Sequence, residues 1–204
     1  DVPEPLRGRS FIAVDGAYLG DEIAGAAVLA PLRELGPEID MFAMMPAAAL
    51  SHMHMDPEEP VPAIGDGMLL DDLTPAAVDA FVAAAGPGSG SPLLSVELRQ
   101  LGGAISVPPA EHGALAKVSG AFALFAVGLP MDAEAGAAIH AHLGRLTDAM
   151  DPWDAGRRYL NFTERPSEAT AFFPEATYRR LRAAKSAYDA GDVFVSNHPV
   201  PVAD

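Results

Sequence analysis

The residues able to do chemistry are few and scattered. His52-Met53-His54 places two imidazoles at i and i+2, which in a strand share one face and can reach one metal ion. Asp56 is the nearest third ligand, so the His52/His54/Asp56 loop is a candidate metal or small-molecule module; neighbouring Met side chains, however, fill cores more often than they bind copper. His140 and His142 stand two apart on a helical stretch, about 200° from each other, so one is expected to face solvent and no joint site to form. Gly86-Pro87-Gly88-Ser89-Gly90 lacks the preceding strand and the Lys-Ser/Thr ending of a phosphate loop, and reads as a connector. Asn161-Phe162-Thr163 has the form of a glycosylation triplet, which matters only in a secreted eukaryotic chain. No Ser-His-Asp order, paired-carboxylate signature or helix-borne His-Glu motif stands out. Tyr159 is the remaining candidate: Arg157 and Arg158 precede it, and nearby positive charge favours an ionised phenol. Packing is the competing role of a strand tyrosine.

The elements that must position these residues alternate between strand and helix signals. Ser10 to Val14 is a β-branched and aromatic run. Asp21 then caps a helix carrying Ile23, Ala27 and Ala30 on one face, with a kink or early end expected at Pro31. Ile39 to Met45 reads as a strand, Pro46 to Leu50 as a helical turn, and Ser51 to Gly67, with three prolines and two glycines, as a long ordered loop. Thr74-Pro75 opens a helix with Val78, Phe81, Val82 and Ala85 at i, i+3, i+4 and i+7, closed by Gly86. Leu93 to Arg99 alternates: Leu94, Val96 and Leu98 point one way, and Leu93, Ser95, Glu97 and Arg99 the other. Ala121 to Val127 is almost wholly apolar, as a strand buried on both faces would be. Asp132 caps a helix with Ile139, Leu143, Leu146 and Met150 in register. Arg158 to Phe162 reads as a short strand, and Pro174 to Tyr188 as a last helix. Strands that also follow one another without a helix between them, from Leu93 through the Ala104 region to Val127, give an α+β class. It has a mixed, largely antiparallel sheet with helices on one face. The other face needs a cover, whether partner, ligand or further domain.

The chain has 204 residues, half of them hydrophobic, which suffices for a sizeable core. Thirteen basic against 28 acidic residues give a net charge of −15, which repels phosphate backbones and anionic lipid, so neither nucleic acid nor membrane is an expected partner. The absence of Cys removes disulfides, thiolate nucleophiles and Cys-based zinc sites, and favours a reducing cytoplasm. Redox chemistry would need a cofactor. No apolar run approaches the ~18 residues of a membrane helix. The Pro-rich start from Asp1 to Leu6 suggests a piece of a longer protein.

The C-terminal residues sharpen this. Tyr159-Leu160-Asn161-Phe162-Thr163-Glu164, then Phe173, Tyr178, Arg180-Leu181, Lys185 and Tyr188-Asp189-Ala190-Gly191-Asp192-Val193-Phe194, resemble the terminal signature of berberine-bridge-enzyme-like FAD-linked oxidases of the vanillyl-alcohol-oxidase-type superfamily. That signature runs Tyr-x-Asn-Tyr-x-Asp, an aromatic, Arg-Leu, Lys, and Tyr-Asp-Pro-x-Asn-x-Phe. This chain departs from it with Phe162 for Tyr, Glu164 for Asp, Ala190 for Pro and Asp192 for Asn. Leu32 to Pro37 and Leu101 to Ala104 also look like bacterial members.

The resemblance implies that residues 1–156 are a substrate-binding domain on an antiparallel sheet. Residues 157–204 would then be a terminal segment that packs on an N-terminal FAD-binding domain of the same protein, absent from this sequence. It implies Tyr159 as the general base or substrate-orienting hydroxyl, with Asn161 beside it toward the cofactor; in a strand the two share a face. A second polar residue found in relatives aligns with Ala126, so a different substrate or a one-tyrosine mechanism is implied. Ser95, Glu97 and Arg99 line the substrate pocket, or else form an internal salt bridge between strands. The implied reaction is oxidation of a small alcohol, amine or activated C–H, with hydride passing to FAD; alone, the fragment is expected to be inactive.

Overall fold

A computed structural model describes residues 7–54 and 59–203; Asp56 and the start from Asp1 to Leu6 lie outside the described residues. The chain divides into two compact units, Asp1–Val61 and Pro62–Asp204. Residues 157–204 lie in the second unit together with residues 62–156.

In the first unit, helix α1 spans Glu22–Glu34. The Asp21 carboxylate accepts the Ala24 N–H at 2.8 Å, as the sequence suggests. Pro31 neither ends nor shortens the helix, which runs on for another turn. Ser10 to Val14 and Ile39 to Met45 form no ladder, and Ala47–His52 is a 3₁₀ turn. No described residue of this unit is buried.

The second unit is built on three antiparallel strands, β1 (Ile64–Leu70), β2 (Ser95–Gln100) and β3 (Phe122–Gly128), in the order β1-β3-β2. The α+β class holds, and every pairing of the described sheet is antiparallel. Strand β1 falls partly in the stretch expected to be a loop, and the Ala104 region is a 3₁₀ turn at Gly103–Ser106. The central strand β3 is the near-continuous apolar run, with Leu124 and Ala126 packed on one face and Ala123 on the other, as cover on both faces requires. Helices α2 (Pro75–Ala85), α3 (Ala133–Met150) and α4 (Glu175–Tyr188) follow the sequence expectations closely.

One sheet face carries Met68 and Leu70 of β1, Leu124 and Ala126 of β3 and Val96 and Leu98 of β2. These pack in a single core with Ala77 of α2 and Ile139, Leu143, Leu146 and Met150 of α3. Each such Leu contributes about 1.5–3 kcal/mol by burial. The stripe on α2 is rotated from the one the periodicity suggests: Ala77 is buried and Phe81 and Ala84 pack inward, while Val78 and Val82 face outward. Small alanines let α2 lie close to α3, and the valine row is left outside.

The opposite face carries Gly65, Gly67 and Leu69 of β1, Ala123, Phe125 and Val127 of β3, and Ser95, Glu97 and Arg99 of β2. In register, Gly67, Phe125 and Glu97 form one row across it. This face was expected to lack a cover. The chain's own segment from Ala155 to Glu164 covers part of it.

Candidate functional site

The segment that carries Tyr159 is held along the outer edge of β1. The Trp153 carbonyl accepts the Asp71 N–H at 3.0 Å, Ala155 N–H donates to the Leu69 carbonyl at 2.8 Å, and the Glu164 carboxylate accepts the Gly65 N–H at 2.8 Å. An edge strand that would otherwise present unpaired backbone groups is thereby satisfied. Arg165 forms an ion pair with Asp66, a carboxylate only 4% exposed.

Between these anchors the chain makes a 3₁₀ turn at Leu160–Phe162 rather than the expected strand. The Tyr159 carbonyl accepts both the Phe162 N–H at 2.9 Å and the Thr163 hydroxyl at 3.0 Å. Tyr159 is the extended residue before the turn and Asn161 lies within it, so the strand alternation that would put both on one face is broken. Tyr159 is half-buried and Asn161 is exposed.

Phe162 is the centre of the cluster. Its ring lies 5.1 Å from Phe125 and 5.2 Å, edge-on, from Tyr159, geometries in which aromatic edges meet faces favourably. The Arg99 guanidinium sits 4.7 Å above the same ring and is held there by Glu97, whose carboxylate accepts at 2.7 Å. The salt bridge weighed for the polar strand face thus exists, but within β2 and not between strands. Ser95 is exposed on the same face.

Ala126 is not on this surface. It is 1% exposed in the helix-side core, between Asp66 and Val96 in register, because successive strand residues face opposite ways. Its neighbour Phe125 meets the Tyr159 turn instead. Arg157 and Arg158 are also directed elsewhere. Arg157 donates to the carbonyls of Thr170 at 2.8 Å and Phe173 at 3.0 Å, and Arg158 binds Asp154 through both carboxylate oxygens, at 3.0 and 2.9 Å.

The glycines Gly65 and Gly67 are the packing signal that sequence reasoning missed. A Cβ on Gly67 would lie 2.7 Å from the Phe162 carbonyl oxygen; one on Gly65 would lie 2.9 Å from Glu164 Oε1 and from the Phe125 ring. Two glycines at i and i+2 within a strand mark a close approach of another segment on that face.

The other candidates do not assemble. His52 ends a 3₁₀ turn and His54 lies beyond it, its Nδ1 3.2 Å from Asp15, so the two do not share a strand face. No group of three metal-ligating side chains occurs among the described residues. His140 is exposed and His142 buried, pointing apart as their spacing requires. The His142 Nδ1 meets the Arg145 guanidinium at 2.9 Å, and burial, then the Arg145 charge, hold its pKa below the usual imidazole range. A polar cavity of about 130 Å³ at the β1 edge is lined by Thr147, Asp154, Arg158 and Arg165, and a groove of about 400 Å³ between α2 and α3 by alanines, Ser89, His142 and Arg145. Neither is lined by Tyr159, Ser95 or Glu97. No helix among the described residues is long and apolar enough to cross a membrane.

No known family profile matches the chain, and no curated protein sequence does. Solved structures do. BBE-like 1 of Physcomitrella patens matches as a single-residue variant with a TM-score of 0.74 and as the wild type with 0.71, each at 15% identity. Each match covers 92% of this chain and 44% of the other, so the chain spans less than half the length of the protein it resembles. What is shared at this identity is the fold: the three-stranded antiparallel sheet and its helices have the architecture found in part of a BBE-like structure.

Proposed function

We propose that this chain is the substrate-binding and C-terminal portion of an FAD-dependent oxidoreductase. It would oxidise a small organic alcohol, amine or activated C–H with hydride transfer to flavin. The observation that carries the reading is the docking of the Tyr159 turn onto the open sheet face, in a fold shared with BBE-like 1. Tyr159 would orient the reacting hydroxyl or amine through its Oη. Phe125 and Phe162 would form an apolar floor that limits water, and Ser95, Glu97 and Arg99 a polar rim.

The described residues do not fit the diphosphate of FAD. A pyrophosphate is held at a helix N-terminus by free N–H groups reached through a glycine-rich turn. Here α1 and α3 begin with the carboxylates of Asp21 and Asp132 on an N–H of the first turn, α2 begins with the Thr74 hydroxyl on the Ala77 N–H and with Pro75, which has no N–H to offer, and α4 has Glu175 in its first turn. The cofactor therefore belongs, in this proposal, to an N-terminal FAD-binding domain of the same protein, which would also close the substrate cavity over the open face. The isolated chain is then expected to be colourless and inactive, and stoichiometric flavin in a purified preparation would overturn that.

Tyr159→Phe in the complete flavoprotein tests the reading. It keeps the ring and the contact with Phe162 and removes only the hydroxyl. The expected loss in the flavin-reduction rate is about 10²–10⁴-fold, the usual contribution of a positioned proton-transfer group, with flavin content unchanged. A loss smaller than about threefold would remove Tyr159 from the mechanism.

A further inference from the structure

We propose that Glu164, seated against the glycine pair Gly65 and Gly67, is the latch that positions Tyr159. The catalytic consequence rests on the function proposed above; the positioning itself does not. Three contacts dock the turn onto β1. The Glu164 carboxylate accepts the Gly65 N–H at 2.8 Å, Phe162 lies against the bare backbone of Gly67, and Arg165 reaches the buried Asp66. Contacts 65 to 164 and 67 to 162 run antiparallel, so β1 sets the register of the turn one residue at a time. Phe162 then carries the alignment to Tyr159 through the 5.2 Å edge contact, with Arg99 stacked at 4.7 Å.

A charged acceptor on a strand-edge N–H makes one of the stronger hydrogen bonds available to a surface side chain. It is also the one contact of the three that can be removed without disturbing the sheet, since Glu164 is exposed. Gly65→Ala attacks the same contact from the other side, its new Cβ falling 2.9 Å from Glu164 Oε1.

The test uses the chain itself with fluorotyrosine at its four tyrosines, the Tyr159 resonance being assigned by Tyr159→Phe. In Glu164→Ala and Gly65→Ala the Tyr159 line is expected to shift and broaden, while those of Tyr178 and Tyr188 stay in place. The Gly65 amide should exchange about tenfold faster in Glu164→Ala, the loss expected for one charged hydrogen bond. Glu164→Gln, which keeps an acceptor oxygen, should restore both readouts. A Tyr159 line and a Gly65 exchange rate left unchanged by Glu164→Ala would overturn the latch. In the complete flavoprotein, Glu164→Ala should lower kcat and leave KM near wild type. If instead Tyr159→Phe leaves turnover intact while Glu164→Ala still moves the Tyr159 line, the catalytic reading fails and the latch stands.

Discussion

At the residue scale, the C-terminal residues do different work. Tyr159 is half-buried against Leu69, Val118 and Ala123 and meets the edge of Phe162, whereas Lys185, Asp189 and Asp192 fasten the end of α4. The Asp189 carboxylate accepts the N–H groups of Val193 at 2.8 Å and Phe194 at 3.2 Å and pairs with Lys185, which also reaches Asp192. The bond from Lys185, more than the backbone N–H groups, holds the Asp189 pKa below the usual carboxylate range; the same partner raises that of Lys185. A depressed carboxylate stabilises the fold above its unfolded pKa of about 3.9, and that contribution is lost as pH falls toward the folded value. The unfolding midpoint should therefore drop below about pH 4, and Asp189→Asn should flatten that acid limb. A wild-type slope retained in the variant would refute the assignment. Asp192 sits at φ +52°, the left-handed region in which, among residues with a side chain, Asn and Asp are enriched.

At the element scale, His142 is buried on α3 beside α2, and burial lowers its pKa. Its Nδ1 must accept from Arg145, and a proton on that nitrogen would replace a hydrogen bond with repulsion. Because the folded pKa is lowered, stability is full above the unfolded value of about 6.5 and declines as pH falls through the window below it. The expected outcome is a midpoint that falls between about pH 7 and 5 and a flatter profile in His142→Gln; identical profiles would refute it. The start of α2 gives an independent check. The Thr74 hydroxyl accepts the Ala77 N–H at 3.2 Å, so Thr74→Ala should cost about 1 kcal/mol in denaturant unfolding, the usual value of such a cap.

At the scale of the whole molecule, charge and apolar exposure oppose each other. Beyond α4, Val193, Phe194 and Val195 are 77%, 76% and 94% exposed, with Tyr188 at 89% close by in sequence. Tyr178 and Leu181 pack against the Phe172 and Phe173 cluster. A contiguous apolar run of this kind marks an interaction site, while the net charge of −15 keeps copies apart. Raising salt from about 0.01 to 1 M shortens the screening length from about 30 to 3 Å. Self-association should therefore increase with ionic strength, and Phe194→Ser should reduce it. Sedimentation that stays monomeric at high salt would show that the run does not self-associate.

What the sequence determined by itself is what depends on neighbours three or four residues away. The caps at Asp21, Thr74 and Asp132, the buried row Ile139, Leu143, Leu146 and Met150, and the extent of α4 all rest on i, i+3 and i+4 relations along one segment, and they appear as read. The alternation of β2 was legible in part: Val96 and Leu98 face the helices as read, but just before the strand Leu93 packs into that core and Leu94 is 62% exposed, the reverse of the expected sides. Tertiary structure decided the rest. Gly65-Asp66-Gly67 looks like a loop in isolation, and it becomes strand only because β3 pairs with it and Phe162 and Glu164 need the room that two missing side chains leave. The Tyr159 segment has the composition of a strand. It turns because the Tyr159 carbonyl takes two local donors while Glu164 is drawn to Gly65, 99 residues away in the chain. Which face of β3 meets that turn follows from register, and register is set by cross-strand partners that no single segment contains.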